Sequence, residues 1–96
     1  MAYDPGAIEA ALAAAVGEDS ALIAELRGAF LDSAARCRDA LDGAADAAAW
    51  RQAALRLKGL AASFGAERLM VLAGDAAGKP HDTRALRRID AALARF

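Results

Sequence analysis

Apolar residues recur along the chain at spacings of three and four, the pattern of helices with one buried side. The longest stripe comprises Leu22, Leu26, Phe30, Ala34, Cys37 and Leu41. A shorter one precedes it, made of Ile8, Leu12, Ala15 and Val16. Three more follow: Trp50, Ala53, Ala54, Leu57, Leu60, Ala61 and Phe64; then Leu69, Met70, Leu72, Ala73 and Ala76; then Leu86, Ile89, Leu93 and Phe96. Because strand-type alternation is lacking, the sequence predicts five helices and an all-α fold.

Residues that favour helix ends separate these stripes. The N-cap positions are occupied by Asp4 before Pro5, by Asp19 or Ser20, by Asp46 and by Asp82. The helices are ended by Gly17, Gly43, Gly65 and Gly78, the last followed by Pro80. Connections this short make consecutive helices antiparallel. We therefore predict a single domain over residues 1–96, an up-down antiparallel four-helix bundle with an additional short N-terminal helix covering one end or side.

The helix that begins after Asp46 has an unusual outer side. At 100° per residue, Leu55 projects roughly 160° away from the centre of the apolar stripe. Its outer neighbours are small, polar or charged: Gln52, Arg56, Lys58, Gly59, Ala62 and Ser63. A glycine inside a helix costs about 1 kcal/mol relative to alanine. The residues alone leave two interpretations open: either a partner protein docks close to Gly59, or another part of the same chain packs there and Leu55 is an ordinary exposed leucine.

The stretch from Ala54 to Gly59 reads Ala-Leu-Arg-Leu-Lys-Gly, and after five intervening residues come Gly65 and Ala66, with Leu69 soon after. This resembles the centre of histidine-containing phosphotransfer (HPt) domains, the intermediate carriers of bacterial phosphorelays, except that Leu55 stands where the family has its phospho-acceptor histidine. The resemblance extends over nearly the whole chain, through the Asp-Pro opening, the segment before the second helix and the Trp ahead of the motif.

The resemblance implies roles for matching residues. Lys58 corresponds to the lysine whose charge helps to hold the phosphoryl group, and Gly59 to the small residue that lets a partner receiver domain come close. Phosphoryl transfer between His and Asp needs an imidazole nitrogen as nucleophile, which leucine cannot supply. We therefore expect no catalytic residue and no enzyme activity, but a pseudo-HPt protein that docks a response-regulator receiver domain or a histidine kinase through Gln52, Leu55, Arg56, Lys58, Gly59, Ala62 and Ser63.

Two alternatives stay open. His81, the single histidine of the chain, could act as an unusual phosphoryl acceptor, although we expect a loop histidine that helps the cap at Asp82. The outer side around Leu55 could instead make the protein a self-associating helical adaptor, that is, a homodimer. Ser63 lacks a base at hand and is a poor nucleophile.

Composition narrows the remaining classes of function. The 96 residues carry a net charge of -1, so bulk charge predicts neither nucleic-acid nor membrane binding. Four arginines crowd the last helix, where we expect a solvated face: Arg84, Arg87, Arg88 and Arg95. One cysteine, Cys37, expected in the core, and one histidine predict no metal site, and we expect no cofactor. Without a signal-peptide pattern or a long apolar segment, we expect a cytoplasmic protein.

Overall fold

The computed structural model describes Ala10, Leu12 and residues 19–96. In the continuous part the chain forms four helices, which we label α1 (Ser20–Asp42), α2 (Ala47–Ser63), α3 (Glu67–Ala77) and α4 (Thr83–Leu93). The described residues include no strand, so the predicted all-α class is confirmed. The predicted N-terminal helix lies outside the described residues, except that Ala10 and Leu12 are helical and Leu12 is buried.

Asp19, Asp46 and Asp82 are the N-caps of α1, α2 and α4, as the sequence predicts. The Asp19 carboxylate accepts the Leu22 N–H at 3.0 Å, so Asp19 and not Ser20 is the N-cap of α1. The Asp46 carboxylate accepts the Ala49 N–H at 2.7 Å at the start of α2. Each bond satisfies a backbone donor that the first helical turn leaves without a partner.

The end of α2 shows why a glycine stands at position 65. The Ala66 N–H bonds the Ala61 carbonyl at 2.9 Å, and the Gly65 N–H bonds the Ala62 carbonyl at 3.3 Å. These two bonds form a Schellman motif, which requires a left-handed residue after the helix. Gly65 supplies it with φ of 71°. The chain therefore reverses after Phe64, and α3 starts at Glu67.

The four helices pack in a closed ring. Each contacts the next one along the chain, and α4 returns to contact α1, whereas α1 does not pack on α3 nor α2 on α4. The largest fully buried side chains come from all four helices: Phe30, Leu41, Leu57, Leu69 and Ile89. The ring of Phe30 also lies 4.9 Å from Phe64 and 5.0 Å from Phe96, between ring centroids. One apolar core thus holds the helices in a fixed arrangement.

The stripe predicted on α1 is only partly buried. Phe30, Ala34 and Leu41 are buried, Cys37 is half-buried against the core, and Leu22 is 38% exposed. The buried residues of α1 begin at Phe30 because α1 has 23 residues while α2 has 17 and α4 has 11. Its first turns therefore extend beyond the shorter helices that would cover them.

A charged contact joins the first and last helices. The Arg38 guanidinium on α1 donates to both carboxylate oxygens of Asp90 on α4, with Nε–Oδ1 at 2.7 Å and Nη2–Oδ2 at 3.1 Å. This forked geometry is the strongest form of an arginine–carboxylate pair. The hydrogen bond to Asp90 raises the pKa of Arg38 above its ordinary value. Asp90 is thereby turned towards α1.

Candidate functional site

The outer side of α2 is a low surface around one large apolar side chain. We call it the Leu55 face and define it by its members: Gln52, Leu55, Arg56, Lys58, Gly59, Ala62 and Ser63. All seven are exposed, and Leu55 keeps 40% of its area open to solvent. The opposite side of α2 carries the buried Trp50 and Leu57. Helical spacing therefore brings the predicted residues together on one surface, away from the core.

Gly59 makes no room for any other described part of the chain. A β-carbon built on it would meet no atom within 4 Å outside its own stretch of helix. The interpretation that Gly59 lets another part of the chain pack closely is therefore wrong for the described residues. The glycine lowers the helix propensity of α2 by about 1 kcal/mol relative to alanine, and no contact with another described residue offsets this loss. What it does leave is open space beside Leu55.

The Ser63 side chain forms a hydrogen bond with the backbone of Gly59. Its hydroxyl donates to the Gly59 carbonyl at 3.0 Å, a bond to the residue four places earlier. Such bonds slightly weaken or bend a helix. The hydroxyl proton is directed into the helix, and no base accepts it. The geometry thus gives Ser63 no means of activation as a nucleophile.

The side chain of Lys58 lies against α3 at Gly74. A β-carbon built on Gly74 would stand 3.5 Å from Lys58 Cδ and 3.9 Å from Nζ. The absence of a side chain at Gly74 therefore gives the lysine stem a surface on which to lie. One turn earlier on α3, Val71 is 49% exposed. Val71 was missed by the sequence-based prediction, although helical spacing places it opposite the buried Leu69 and Ala73.

The electrostatics of α2 are one-sided. The helix carries Arg51, Arg56 and Lys58 and not a single acidic residue. Arg51 flanks the Leu55 face, and all three cationic side chains are exposed. The face can therefore attract an anionic surface, while its centre is apolar. It presents no imidazole, thiol or carboxylate with which to accept a phosphoryl group.

His81 lies elsewhere, in the connection between α3 and α4. The Asp82 N–H bonds the Lys79 carbonyl at 3.1 Å, and His81 occupies the left-handed position of this turn with φ of 59°. Its ring contacts that of Trp50 in a tilted arrangement, with centroids 5.6 Å apart and an interplanar angle of 50°. His81 is a loop residue, as predicted, but it takes no part in the cap. The Asp82 carboxylate caps α4 by itself, accepting the backbone N–H groups of Arg84 and Ala85.

Trp50 connects this turn to the core. Its indole Nε1–H donates to the Ala76 carbonyl at 2.7 Å, and the side chain is 2% exposed. The exposed His81 ring therefore lies at one end of the bundle, above the buried side of α2, while Leu55 projects from the other side of the same helix. The structure does not bring His81 into the Leu55 face.

The described residues contain no cluster of three or more His, Cys, Asp or Glu side chains able to hold a metal ion. None of their helices combines the length and the apolar character that crossing a bilayer requires.

Comparison of the chain with models of known protein families, with curated proteins and with solved structures found no match.

Proposed function

We propose that the chain is a degenerate HPt-like protein, a pseudo-HPt, that docks a receiver domain or a histidine kinase of a bacterial phosphorelay without carrying phosphate. The support is the motif from Ala54 to Ala66 on a helix whose outer side is exposed over its whole length. Leu55 stands at the acceptor position, and leucine has no atom that can form a phosphoramidate. The protein would then act as a competitor, an adaptor or a modulator, and not as an enzyme.

The observation that carries the proposal is the open space at Gly59. A glycine in the middle of a helix lowers stability, and at Gly59 no packing contact with the described residues compensates for it. A partner whose backbone or side chains approach α2 closely at this point provides one. The same glycine lies four residues after Leu55, one turn along the same side of the helix.

Leu55 contributes to docking by burial. Full burial of a leucine is worth roughly 1.5–3 kcal/mol. Since Leu55 already hides more than half of its area, a partner that covers the remaining 40% gains roughly 1 kcal/mol. Arg51, Arg56 and Lys58 surround it and add attraction to an anionic partner surface.

We propose that α1 to α4 run alternately up and down, because consecutive helices pack together through short connections and α4 closes on α1. An additional N-terminal helix covers one end or side of this bundle. Residues 1–96 form one cytoplasmic domain.

The decisive experiment restores the histidine. Leu55→His and the wild type are each mixed with a panel of phosphorylated receiver domains, and phosphoryl transfer is followed on Phos-tag gels. We expect Leu55→His to take phosphate from one receiver and the wild type to take none. Binding of that receiver to the wild type is then measured by calorimetry. If neither protein binds or takes phosphate from any receiver, the proposal fails.

A matched pair of glycine variants separates docking from folding. Gly28 on α1 is, like Gly59, an exposed helical glycine with nothing within 4 Å of a built β-carbon. Gly59→Leu should abolish binding of the receiver found above, whereas Gly28→Leu should leave it intact. Equal binding by both variants would show that the partner does not approach α2 at Gly59.

The alternatives make different predictions for the same samples. If His81 is the acceptor, wild type exposed to a phosphorylated receiver gains 80 Da in intact mass, and His81→Ala does not. If the Leu55 face joins two copies, light scattering gives a dimer for the wild type and a monomer for Leu55→Asp. The pseudo-HPt proposal predicts no mass change and a monomer.

A further inference from the structure

A second charged surface lies on α4. Its four members, which we call the arginine stripe, are Arg84, Arg87, Arg88 and Arg95. All four are exposed. At 100° per residue they fall within about 100° of one another around the helix. Arg95 follows α4 by one further turn, in which its N–H bonds the Ala92 carbonyl at 3.2 Å. The stripe therefore extends over about 16 Å, at 1.5 Å per residue, with three arginines grouped at its start and Arg95 about 10 Å beyond Arg88.

The stripe is not neutralised by the described part of the chain. Asp90, the single acidic residue of α4, is bound by both sides of the Arg38 fork and faces α1. No carboxylate among the described residues comes within ion-pair distance of the four guanidinium groups. Arg88 does interact electrostatically with Asp82, the N-cap of α4, but the two side chains form no direct ion pair.

Folding stability does not account for this arrangement. Arg84 is the second residue of α4, in the first turn, where a positive charge opposes the helix dipole. Arg84 and Arg88 are four residues apart, a spacing at which like charges repel and destabilise a helix. The predicted solvated face is confirmed, since all four arginines are exposed, but the helix dipole favours a positive charge only towards the C-terminal end, where Arg95 lies, and not at Arg84. A partner that neutralises the stripe removes both penalties.

The chemistry around the stripe selects among anionic partners. The large apolar residues of α4 lie in the core, where Leu86 and Ile89 are buried and Leu93 is half-buried. Only two alanines, Ala91 and Ala94, are exposed beside the arginines, so the stripe has no large apolar side chain to enter a bilayer. A whole-chain charge of -1 is unlike that of a nucleic-acid-binding domain. Guanidinium forks match both carboxylates and phosphates in geometry, and the Arg38–Asp90 pair shows the carboxylate form in this chain.

We infer that the arginine stripe is a second docking surface, for a protein partner that presents a row of carboxylates about 16 Å long. Because α4 does not pack on α2, the stripe and the Leu55 face lie on different sides of the ring. The protein can therefore hold two partners at once, one on each side. This inference is independent of the HPt resemblance, since it uses no residue of that motif.

The test uses a fluorescein-labelled helical peptide with a row of glutamates along one side, and the same peptide with glutamines instead. Anisotropy titrations at low ionic strength should show binding of the glutamate peptide only, weakening as NaCl is added. Changing all four stripe arginines to glutamine should weaken binding about tenfold, the sum of four exposed ion pairs. Circular dichroism should show an unchanged or more stable fold for this variant.

The control changes two exposed arginines that lie on neither surface, Arg36 and Arg68, to glutamine. It is compared with the double stripe variant Arg87→Gln with Arg88→Gln, which has the same net charge, and it should retain peptide binding while the double stripe variant weakens it about threefold. Equal loss in both variants would reduce the effect to net charge and overturn the inference. Tighter binding of a DNA duplex or of phosphatidylserine vesicles than of the peptide would also overturn it. Phosphoryl transfer to Leu55→His, unaffected by the stripe variant, reports on the Leu55 face separately.

Discussion

The stem of Lys58 on α2 lies across Gly74 on α3, where a β-carbon built on the glycine would stand 3.5 Å from Cδ. The lysine therefore reaches the surface along the groove between α2 and α3. Its charge is held at the side of the Leu55 face, and the centre of the face is left to Leu55 and the open space at Gly59. In the proposed function this lysine guides an anionic partner, while the apolar centre makes the close contact.

Alanine should replace Gly74 without displacing Lys58. A separation of 3.5 Å is an ordinary van der Waals contact, and alanine favours a helix over glycine by about 1 kcal/mol. We expect Gly74→Ala to raise the free energy of unfolding by about 0.5–1 kcal/mol in urea titrations. A loss of stability would mean that the lysine stem is packed more tightly against α3 than the structure indicates.

The two open glycines should behave alike in stability. Gly28→Ala and Gly59→Ala each place a methyl group in open space, so each should stabilise the protein by about 1 kcal/mol. Thermal unfolding followed by circular dichroism measures this directly. The prediction for Gly59→Ala fails if stability falls, which would indicate that the Ser63 bond to the Gly59 carbonyl needs a local backbone distortion that alanine resists.

These glycines mark the limit of sequence-based prediction for this chain. The caps at Asp19, Asp46 and Asp82 and the exposure of Leu55 follow from local patterns, because capping and helical spacing depend on neighbours along the chain. Whether Gly59 faces open space depends on what other helices do, so the sequence left two interpretations open. The same holds for contacts between helices.

Contacts between helices depend on how each one is rotated and shifted against its neighbours. The ion pair between Arg38 and Asp90 joins residues 52 positions apart, and the ring contact between Trp50 and His81 joins residues 31 positions apart. No periodicity in the sequence predicts such contacts. Leu22 shows the converse. Its spacing fits the buried stripe, yet α1 extends beyond the helices that would bury it there.

Trp50→Phe should cost a moderate amount of stability. The change removes the indole bond to the Ala76 carbonyl, worth about 1 kcal/mol, and leaves a small space in the core worth about 1 kcal/mol more. The carbonyl is not left without a donor, since the Lys79 N–H also bonds it at 2.9 Å. We expect the free energy of unfolding to fall by roughly 2 kcal/mol, measured by circular dichroism in urea. No loss at all would mean that the indole bond contributes nothing to folding.

Asp82 should make stability fall in acid. The Ala85 N–H lowers the pKa of this carboxyl below its ordinary 3.8, and the Arg84 N–H and the charges of Lys79 and Arg88 act in the same direction against partial burial. A depressed folded-state pKa gives stability that is fully present above the ordinary pKa and is lost as pH falls through the folded value. Asp82→Asn keeps a capping oxygen but cannot titrate there.

Urea titrations of the wild type and of Asp82→Asn between neutral pH and pH 2 test this. The wild type should lose stability relative to the variant as the pH drops below 3.8. The other carboxyl groups are common to both proteins, so their contribution cancels in the difference. Parallel curves over the whole range would show that the cap does not favour the ionised form.

His81 should reveal the strain of the turn through two substitutions. Its φ of 59° is costly for a residue with a β-carbon, by roughly 1–2 kcal/mol, but not for glycine. Both His81→Gly and His81→Ala lose the ring contact with Trp50, so the difference between them isolates the backbone. We expect the glycine variant to be more stable than the alanine variant by about 1 kcal/mol, after allowing for the greater freedom of glycine in the unfolded chain.

Trp50, the single tryptophan, provides the fluorescence signal for both unfolding curves, and its emission should shift equally in the two variants as the imidazole is removed. An alanine variant as stable as the glycine variant would mean that the turn leaves the left-handed conformation once the imidazole is removed. The ring contact with Trp50 would then be the interaction that holds His81 in this conformation.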